Sequence, residues 1–457
     1  VSGSMSGDKM IQAKEAVNYC VKQLNADDRF EIVKFSTVAE ALFGELKPAD
    51  SKNKEQAEKY INSLEAVGGT NMQEAFELAF GQNTNPNRPH IMVFITDGKP
   101  TIGTTDTEKL LEKIKSVNTG RTRIFTFGLG NDINTILLDK ITTQSRAYRT
   151  YIAEGEDITL SISDFFNKIN APVLTNIEIS AEGIDLIEMY PRNFPDLFAG
   201  SSVRIFGKYR GDGKAEITLK GKVQDRDKQY PYKVNFSPKP ENDFIPVFWA
   251  GRKIGFLLDE IRQNGEQKEL TDEIKALALK YGIITPYTSY LILEDEKIRI
   301  SEGEISQDEA IFYRRFGNRT QADDFLKKSK SEYADLGDNS GGVGAQRSKE
   351  IQSQTNVSNV NELRPGSERM TYTDNEGNRQ NFAEQSEIIQ GRAVYRTGDR
   401  NIDSQLFTSK CKKEKRLKFA GNEYFAELKR NPDLGQFLAL GKNLQFNYKG
   451  TLYIIEE

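Results

Sequence analysis

With 457 residues the chain has room for roughly two or three domains, and its 26 Phe and 18 Tyr can fill real cores, yet a hydrophobic fraction of 37% predicts a sizeable disordered stretch. A net charge of −4 argues against a general nucleic-acid binder, and no apolar run reaches the roughly 18 residues that would read as a membrane span. One histidine, His90, removes Ser-His-Asp and Cys-His triads built in the usual way and most zinc sites, while two distant cysteines, Cys20 and Cys411, exclude a disulfide framework.

Residues 9–24 put Met10, Ala13, Val17, Cys20 and Leu24 on one helical face. RFEIVKFST (29–37) reads as a buried strand, with ALFGEL (41–46) as its hairpin partner and an antiparallel edge. Residues 53–66 have helical spacing, and GGTNMQEAFELAF (68–80) is a loop into a helix. HIMVFITDG (90–98) is a strand ending in a turn. A helix over 106–118, the strand RIFTFGLG (123–130), a helix around 133–143, a short strand around 147–153 and a helix over 157–169 follow. This alternation predicts an α/β domain over 1–170, Rossmann-like, with a doubly wound, mostly parallel sheet and helices on both faces. In such sheets ligands sit beyond the carboxyl ends of the strands.

After Pro172 the pattern changes to period two. VLTNIEISA, SSVRIFGKYRG, KAEITLKGKV and YPYKVNF alternate, and GDG (211–213) marks a tight turn. An antiparallel β-domain is expected over 171–300, with trailing helices at 245–263 and 270–281 and an apolar strand-like segment at 280–294. Residues 301–402 are rich in Ser, Asn, Gln, Gly, Glu and Arg and read as a mostly disordered linker, with AIFYRRF (310–316) as a short amphipathic helix near its start. Residues 403–457 regain aromatics and predict a small C-terminal α+β segment. The basic run KCKKEKRLK (410–418) reads as a solvated edge strand, with an anionic partner surface as the sharper alternative.

Three glycine-bearing loops, SGSMS, GGTN and ITDG, present Ser2, Ser4, Thr70 and Asp97. All four are hard oxygen donors, which select Mg²⁺, Mn²⁺ or Ca²⁺ over zinc or copper. Each also has a plainer structural reading. Ser2, Ser4, Ser6 or Asp8 could cap the helix that begins near Lys9, Thr70 could cap the helix after it, and Asp97 could be a turn residue. SGDK (6–9) matches S-x-x-K, but no S-D-N or K-T-G follows, and no G-x-x-x-x-G-K-[ST] loop exists.

In their order, these residues resemble the metal-ion-dependent adhesion site of the von Willebrand factor type A domain. That motif is Asp-x-Ser-x-Ser, then a distant Thr, then a distant Asp. Ser2 and Ser4 match the serines, Thr70 the Thr and Asp97 the second Asp. The first Asp would stand just before Val1, behind the central strand of the family's sheet. The resemblance therefore implies a chain that begins inside the motif, with a gap between 29–37 and 90–97. FWAGRKIGFLLDEI and LALKYGIITPYTSYLILE resemble the region after this domain in inter-alpha-trypsin inhibitor heavy chains and their bacterial relatives, so the likeness covers about 1–295. It implies a divalent-cation-dependent protein-binding module. Mg²⁺, or alternatively Mn²⁺ or Ca²⁺, would keep an open position for an Asp or Glu of a protein partner. Loops 83–89 and 99–106 would set specificity, and the helix over 157–169 would switch affinity. A secreted or cell-envelope location is implied too, although cytosolic domains of this type exist. The alternatives are a structural surface or scaffold protein with a vestigial site and, less favoured, a Mg²⁺-dependent hydrolase. The latter needs a base near the ion, whereas His90 opens its strand at the end opposite Asp97.

Overall fold

A computed structural model describes residues 1–82, 88–118, 122–169, 172–223, 226–237, 242, 244–283, 285, 287, 341–357, 371–373, 379–381, 386–397, 400–408, 411 and 413–457. Contacts divide the chain into two units. One is Val1–Ile187 with Arg192–Phe236 and Asp338–Lys349; the other is Glu188–Pro191 with Ser237–Gly337 and Glu350–Glu457.

In the first unit the amphipathic run after the N-terminal serines forms α1 (Asp8–Gln23), with Met10, Ala13 and Ala16 buried. The strand expected over 29–37 is interrupted. β1 (Arg29–Phe30) and β2 (Val33–Phe35) flank Glu31, whose carboxylate accepts from the amides of Ile32 at 2.8 Å and Phe43 at 3.0 Å. Amides held by a side chain leave the ladder. β3 (Ala39–Ala41) pairs antiparallel with β2, and β4 (Lys47–Pro48) with β1, so the hairpin forms while most of its expected partner 41–46 is not strand. Then come α2 (Ser51–Ser63), α3 (Met72–Phe80), β5 (His90–Thr96), α4 (Thr107–Val117), β6 (Thr122–Leu129), α5 (Thr135–Gln144), β7 (Arg149–Ile152) and α6 (Ile158–Ile169), in the expected order.

β5, β6 and β7 make a parallel sheet with β6 in the middle. Every residue of β6 is buried, as a strand covered on both faces requires. Ile124 joins Met72, Phe76, Leu110 and Leu137 on the side of α3, α4 and α5. Phe127 and Leu129 join Met10, Ala13, Ile158 and Ile162 on the side of α1 and α6. Each large apolar side chain so buried contributes about 1.5–3 kcal/mol. Among the described residues β2 pairs only with β3, and β5 only with β6, which is the expected gap between 29–37 and 90–97. A cavity of about 480 Å³ there is lined by Phe35 of β2, Val93 and Ile95 of β5, and Met10, Ala13 and Ile162 of the helices.

The antiparallel β-domain follows as β8 (Pro172–Glu182), β9 (Asp185–Tyr190), β10 (Leu197–Phe198), β11 (Phe206–Arg210), β12 (Gly213–Val223) and β13 (Arg226–Phe236). Its main sheet has the order β10-β8-β12-β13. Gly211 and Gly213, at φ of 102° and 87°, close the expected GDG turn in a backbone region that glycine enters freely. The Arg123 guanidinium of β6 reaches Asp196 at 2.7 Å and Asn176 at 2.7 Å, joining this sheet to the parallel one.

The second unit holds α7 (Ile245–Asn264), α8 (Lys268–Tyr281) and a six-stranded sheet. The sheet order is Ser386–Ile389, Arg392–Thr397, Arg400–Asp403, Leu444–Tyr448, Thr451–Glu456, Lys413–Lys418. Leu434, Phe437 and Phe446 fill its core. Here the structure differs from expectation in two ways. First, α7 and α8 group with this sheet rather than with the β-domain: the Tyr395 hydroxyl donates to the Leu279 carbonyl at 2.9 Å and Ser404 to that of Lys280 at 3.2 Å. Second, 301–402 is not irregular throughout. Helix α9 (Gly341–Thr355) and five strands lie within it or cross its end, and Ala345, Ile351, Ile389, Ala393 and Val394 are buried. A few apolar residues at the right spacing suffice where the average composition is polar. The basic run supplies the edge strand Lys413–Lys418. The helix expected over 310–316, residues 83–87 of the first specificity loop and most of the 280–294 segment lie outside the described residues.

Candidate metal-ion site

Asp97 directly follows β5, at the carboxyl end of the parallel sheet. Two other segments converge on it: the 3-10 turn Gly3–Met5 and the loop 68–71 that leads into α3. Backbone bonds align them, from the Gly3 amide to the Gly68 carbonyl at 3.0 Å and from the Val67 amide to the Val1 carbonyl at 2.9 Å. The Thr70 loop is fixed to the next loop. The Thr70 amide donates to Thr101 Oγ1 at 2.8 Å, and the Thr101 amide to the Thr70 carbonyl at 2.9 Å.

Asp97 is 1% exposed. Its Oδ1 accepts from Ser2 Oγ at 3.1 Å and Ser4 Oγ at 2.8 Å, and the two hydroxyls are 3.1 Å apart. Thr70 is buried and enters from another side. A methyl group on Gly98 would lie 3.7 Å from Thr70 Oγ1 and 3.9 Å from Ser4 Oγ, so both oxygens border the space over the Gly98 backbone. All four residues singled out in the sequence are thus neighbours.

The plainer roles do not account for them. The N-cap of α1 is Gly7, with no side-chain cap bond. α3 is capped by Asn71, whose side chain accepts from the Glu74 amide at 3.3 Å. Ser2 and Ser4 therefore do not cap α1 and Thr70 does not cap α3; Ser2 stands at the N-cap of the Gly3–Met5 turn without a side-chain cap bond, and Asp97 is buried where an ordinary turn aspartate would be exposed.

Asp97 Oδ2 has no hydrogen-bond partner among the described residues. Leaving a buried carboxylate oxygen without a hydrogen bond is costly, and a hard cation is a group that would satisfy it. Three hydroxyls and a carboxylate fit Mg²⁺ or Mn²⁺ in type. The set is poor in charge: no group of three or more His, Cys, Asp or Glu side chains stands ready to hold a metal among the described residues. The Val1 nitrogen donates to the Phe35 carbonyl at 2.8 Å.

Two residues of the site were not singled out in the sequence. Thr101 holds the Thr70 loop by its hydroxyl. Lys9 places Nζ 3.9 Å from Asp97 Oδ2. The available signal for Lys9 was its place in the first turn of α1, because long helical side chains lean back toward the N-terminus and so over SGSMS. His90 is at the opposite end of β5, its Nδ1 2.8 Å from Thr122 Oγ1, where burial first and Arg29 second lower its pKa.

The family model for the von Willebrand factor type A domain matches residues 1–148. Inter-alpha-trypsin inhibitor heavy chain H4 of Homo sapiens is 28% identical over 316 residues, covering 65% of this chain and 34% of that protein. Heavy chain H3 of Bos taurus is 26% identical over 318 residues, covering 65% and 36%. The chain spans about a third of the length of these curated relatives. Among solved structures, a von Willebrand factor type A protein from Catenulispora acidiphila aligns over 61% of this chain and 77% of its own, with 17% identity and a TM-score of 0.46. The ArnB paralog VWA2 from Sulfolobus acidocaldarius aligns over 72% and 85%, with 16% identity and a TM-score of 0.39. No helix among the described residues is long and apolar enough to cross a membrane. Domains of this type commonly mediate protein interaction. Residues 1–148 thus match the von Willebrand factor type A domain, and over 65% of its length the chain is similar to inter-alpha-trypsin inhibitor heavy chains.

Proposed function

We propose that residues 1–170 form a divalent-cation-dependent protein-binding module. Ser2, Ser4, Thr70 and Asp97 hold Mg²⁺ or Mn²⁺, and an Asp or Glu of a protein partner takes the remaining position. The observation that carries this reading is Asp97 Oδ2, buried and without a hydrogen-bond partner among the described residues, in a group of hydroxyls at the carboxyl end of a parallel strand. The hydroxyls are neutral, so Asp97 supplies one negative charge against two positive ones. An incoming carboxylate completes the compensation, which couples ion and partner binding. The 99–106 loop borders the site, with Ile102 packed close to Gly69, and would read the partner's surroundings. A secreted or cell-envelope location belongs to the same reading.

The test is isothermal titration of the chain with Mg²⁺ and Mn²⁺, then with an acidic peptide in the presence of the ion. Saturable binding that disappears in Asp97→Ala is expected, with peptide binding abolished by EDTA. Equal ion affinity in Asp97→Ala would overturn the assignment. Absence of binding in the parent chain would favour the scaffold alternative.

A further inference from the structure

We propose that the Lys9 ammonium is a resident counter-cation for Asp97 that competes with the divalent ion and so sets the ion concentration at which the site fills. The inference rests on the metal reading above. Its first ground is position. Lys9 Nζ is 3.9 Å from Oδ2, the oxygen that neither serine reaches, so the one unsatisfied face of the carboxylate is turned to a positive charge.

The second ground is a seat. Gly130, directly after β6, has φ of 75°, and its amide is fixed by a 2.8 Å bond to the Ile152 carbonyl. A Cβ at Gly130 would lie 3.1 Å from Lys9 Nζ and 3.4 Å from its Cε. The lysine end therefore rests where a larger residue would crowd it. The third ground is that a cation in the first turn of a helix opposes the macrodipole. The site carboxylate compensates a placement that the helix itself disfavours.

The two partners differ in freedom. The Lys9 side chain is 32% exposed and that of Asp97 is 0% exposed. The ammonium can turn out into water; the carboxylate cannot. A divalent ion against Oδ2 would face the ammonium at close range, and like charges at such distances repel strongly. Filling the site therefore requires Lys9 to leave its seat, and its departure is charged against the ion's affinity.

The experiment compares the parent chain with Lys9→Met and Lys9→Arg by titration with Mn²⁺ and by thermal melting in EDTA. Lys9→Met should bind Mn²⁺ about tenfold more tightly and melt at a lower temperature in EDTA, and saturating Mn²⁺ should abolish that melting deficit. Lys9→Arg should follow the parent in both measurements. Unchanged Mn²⁺ affinity in Lys9→Met, or an unchanged melt in EDTA, overturns the proposal. If no variant binds either Mn²⁺ or Mg²⁺, the metal reading fails and the competition with it. The pairing is then judged alone, from a double-mutant cycle of Lys9→Met with Asp97→Asn in EDTA. Non-additive losses support a Lys9–Asp97 pair; additive ones refute it.

Discussion

Two buried aspartates in the first unit have opposite surroundings. Asp139 of α5 is fully enclosed, and its partners are Arg149 Nε at 2.8 Å, the Tyr151 hydroxyl at 2.5 Å and Ser348 Oγ at 3.0 Å from both oxygens. Asp97 is buried to the same degree, but only one of its oxygens is hydrogen-bonded, and the facing cation stands off at 3.9 Å. Burial alone does not separate a structural carboxylate from a functional one. The separation comes from satisfaction: a completed network holds the fold, and an incomplete one leaves room for a ligand.

The largest test of this contrast is Arg149→Ala. It leaves Asp139 charged and buried without its guanidinium and should cost about 3–5 kcal/mol in urea unfolding. Asp97→Asn should lose ion binding altogether, yet in EDTA its stability should stay within about 1 kcal/mol of the parent, because one oxygen was unsatisfied from the start. Equal destabilisation by the two changes would erase the distinction. A finer probe is Gly98→Ala. The added methyl meets Thr70 Oγ1 and Ser4 Oγ at ordinary contact distances, so melting in EDTA should not change. Ion affinity should fall because the space between those oxygens is filled; a variant that binds as the parent does would place the ion elsewhere.

The smallest effect belongs to the far end of β5. The folded pKa of His90 is lowered, so the unfolded chain takes up a proton first as the pH drops. Its contribution is present above the unfolded value near ~6.5 and is lost as pH falls through the folded one. His90→Gln should flatten the acid slope of stability below that value while ion affinity at neutral pH is unchanged. A shift in ion affinity would tie the two ends of the strand together.

What could be read in advance follows from how local the signal is. Ser2, Ser4, Thr70 and Asp97 stand out because hydroxyls and a carboxylate recur in three glycine-bearing loops in the order of the adhesion-site motif. The alternation over 1–170 is equally local, and so is the mostly apolar run from Ile124 to Leu129 that marks β6. Glu31 broke a strand because its carboxylate took two amides, an event that no periodicity reports. The strands between 386 and 403 were hidden because a few buried residues such as Ile389 and Val394 sit in polar surroundings. The Asp139 network was out of reach, since Ser348 meets Arg149 across 199 residues of sequence.

That separation bears on the order in which the molecule is completed during synthesis. Asp139, Arg149 and Tyr151 emerge within 12 residues of one another and can pair as soon as β7 forms beside β6. The hydroxyl that closes their network is translated 199 residues later, which at 5–20 residues per second is roughly 10–40 s. Through that interval the edge formed by α5 and β7 lacks Ser348 and Ala345, the second of which packs into the same core as Leu137 and Ile141. The nascent domain therefore waits with one apolar margin uncovered, and α9 acts as a late-arriving clasp supplied by its own chain.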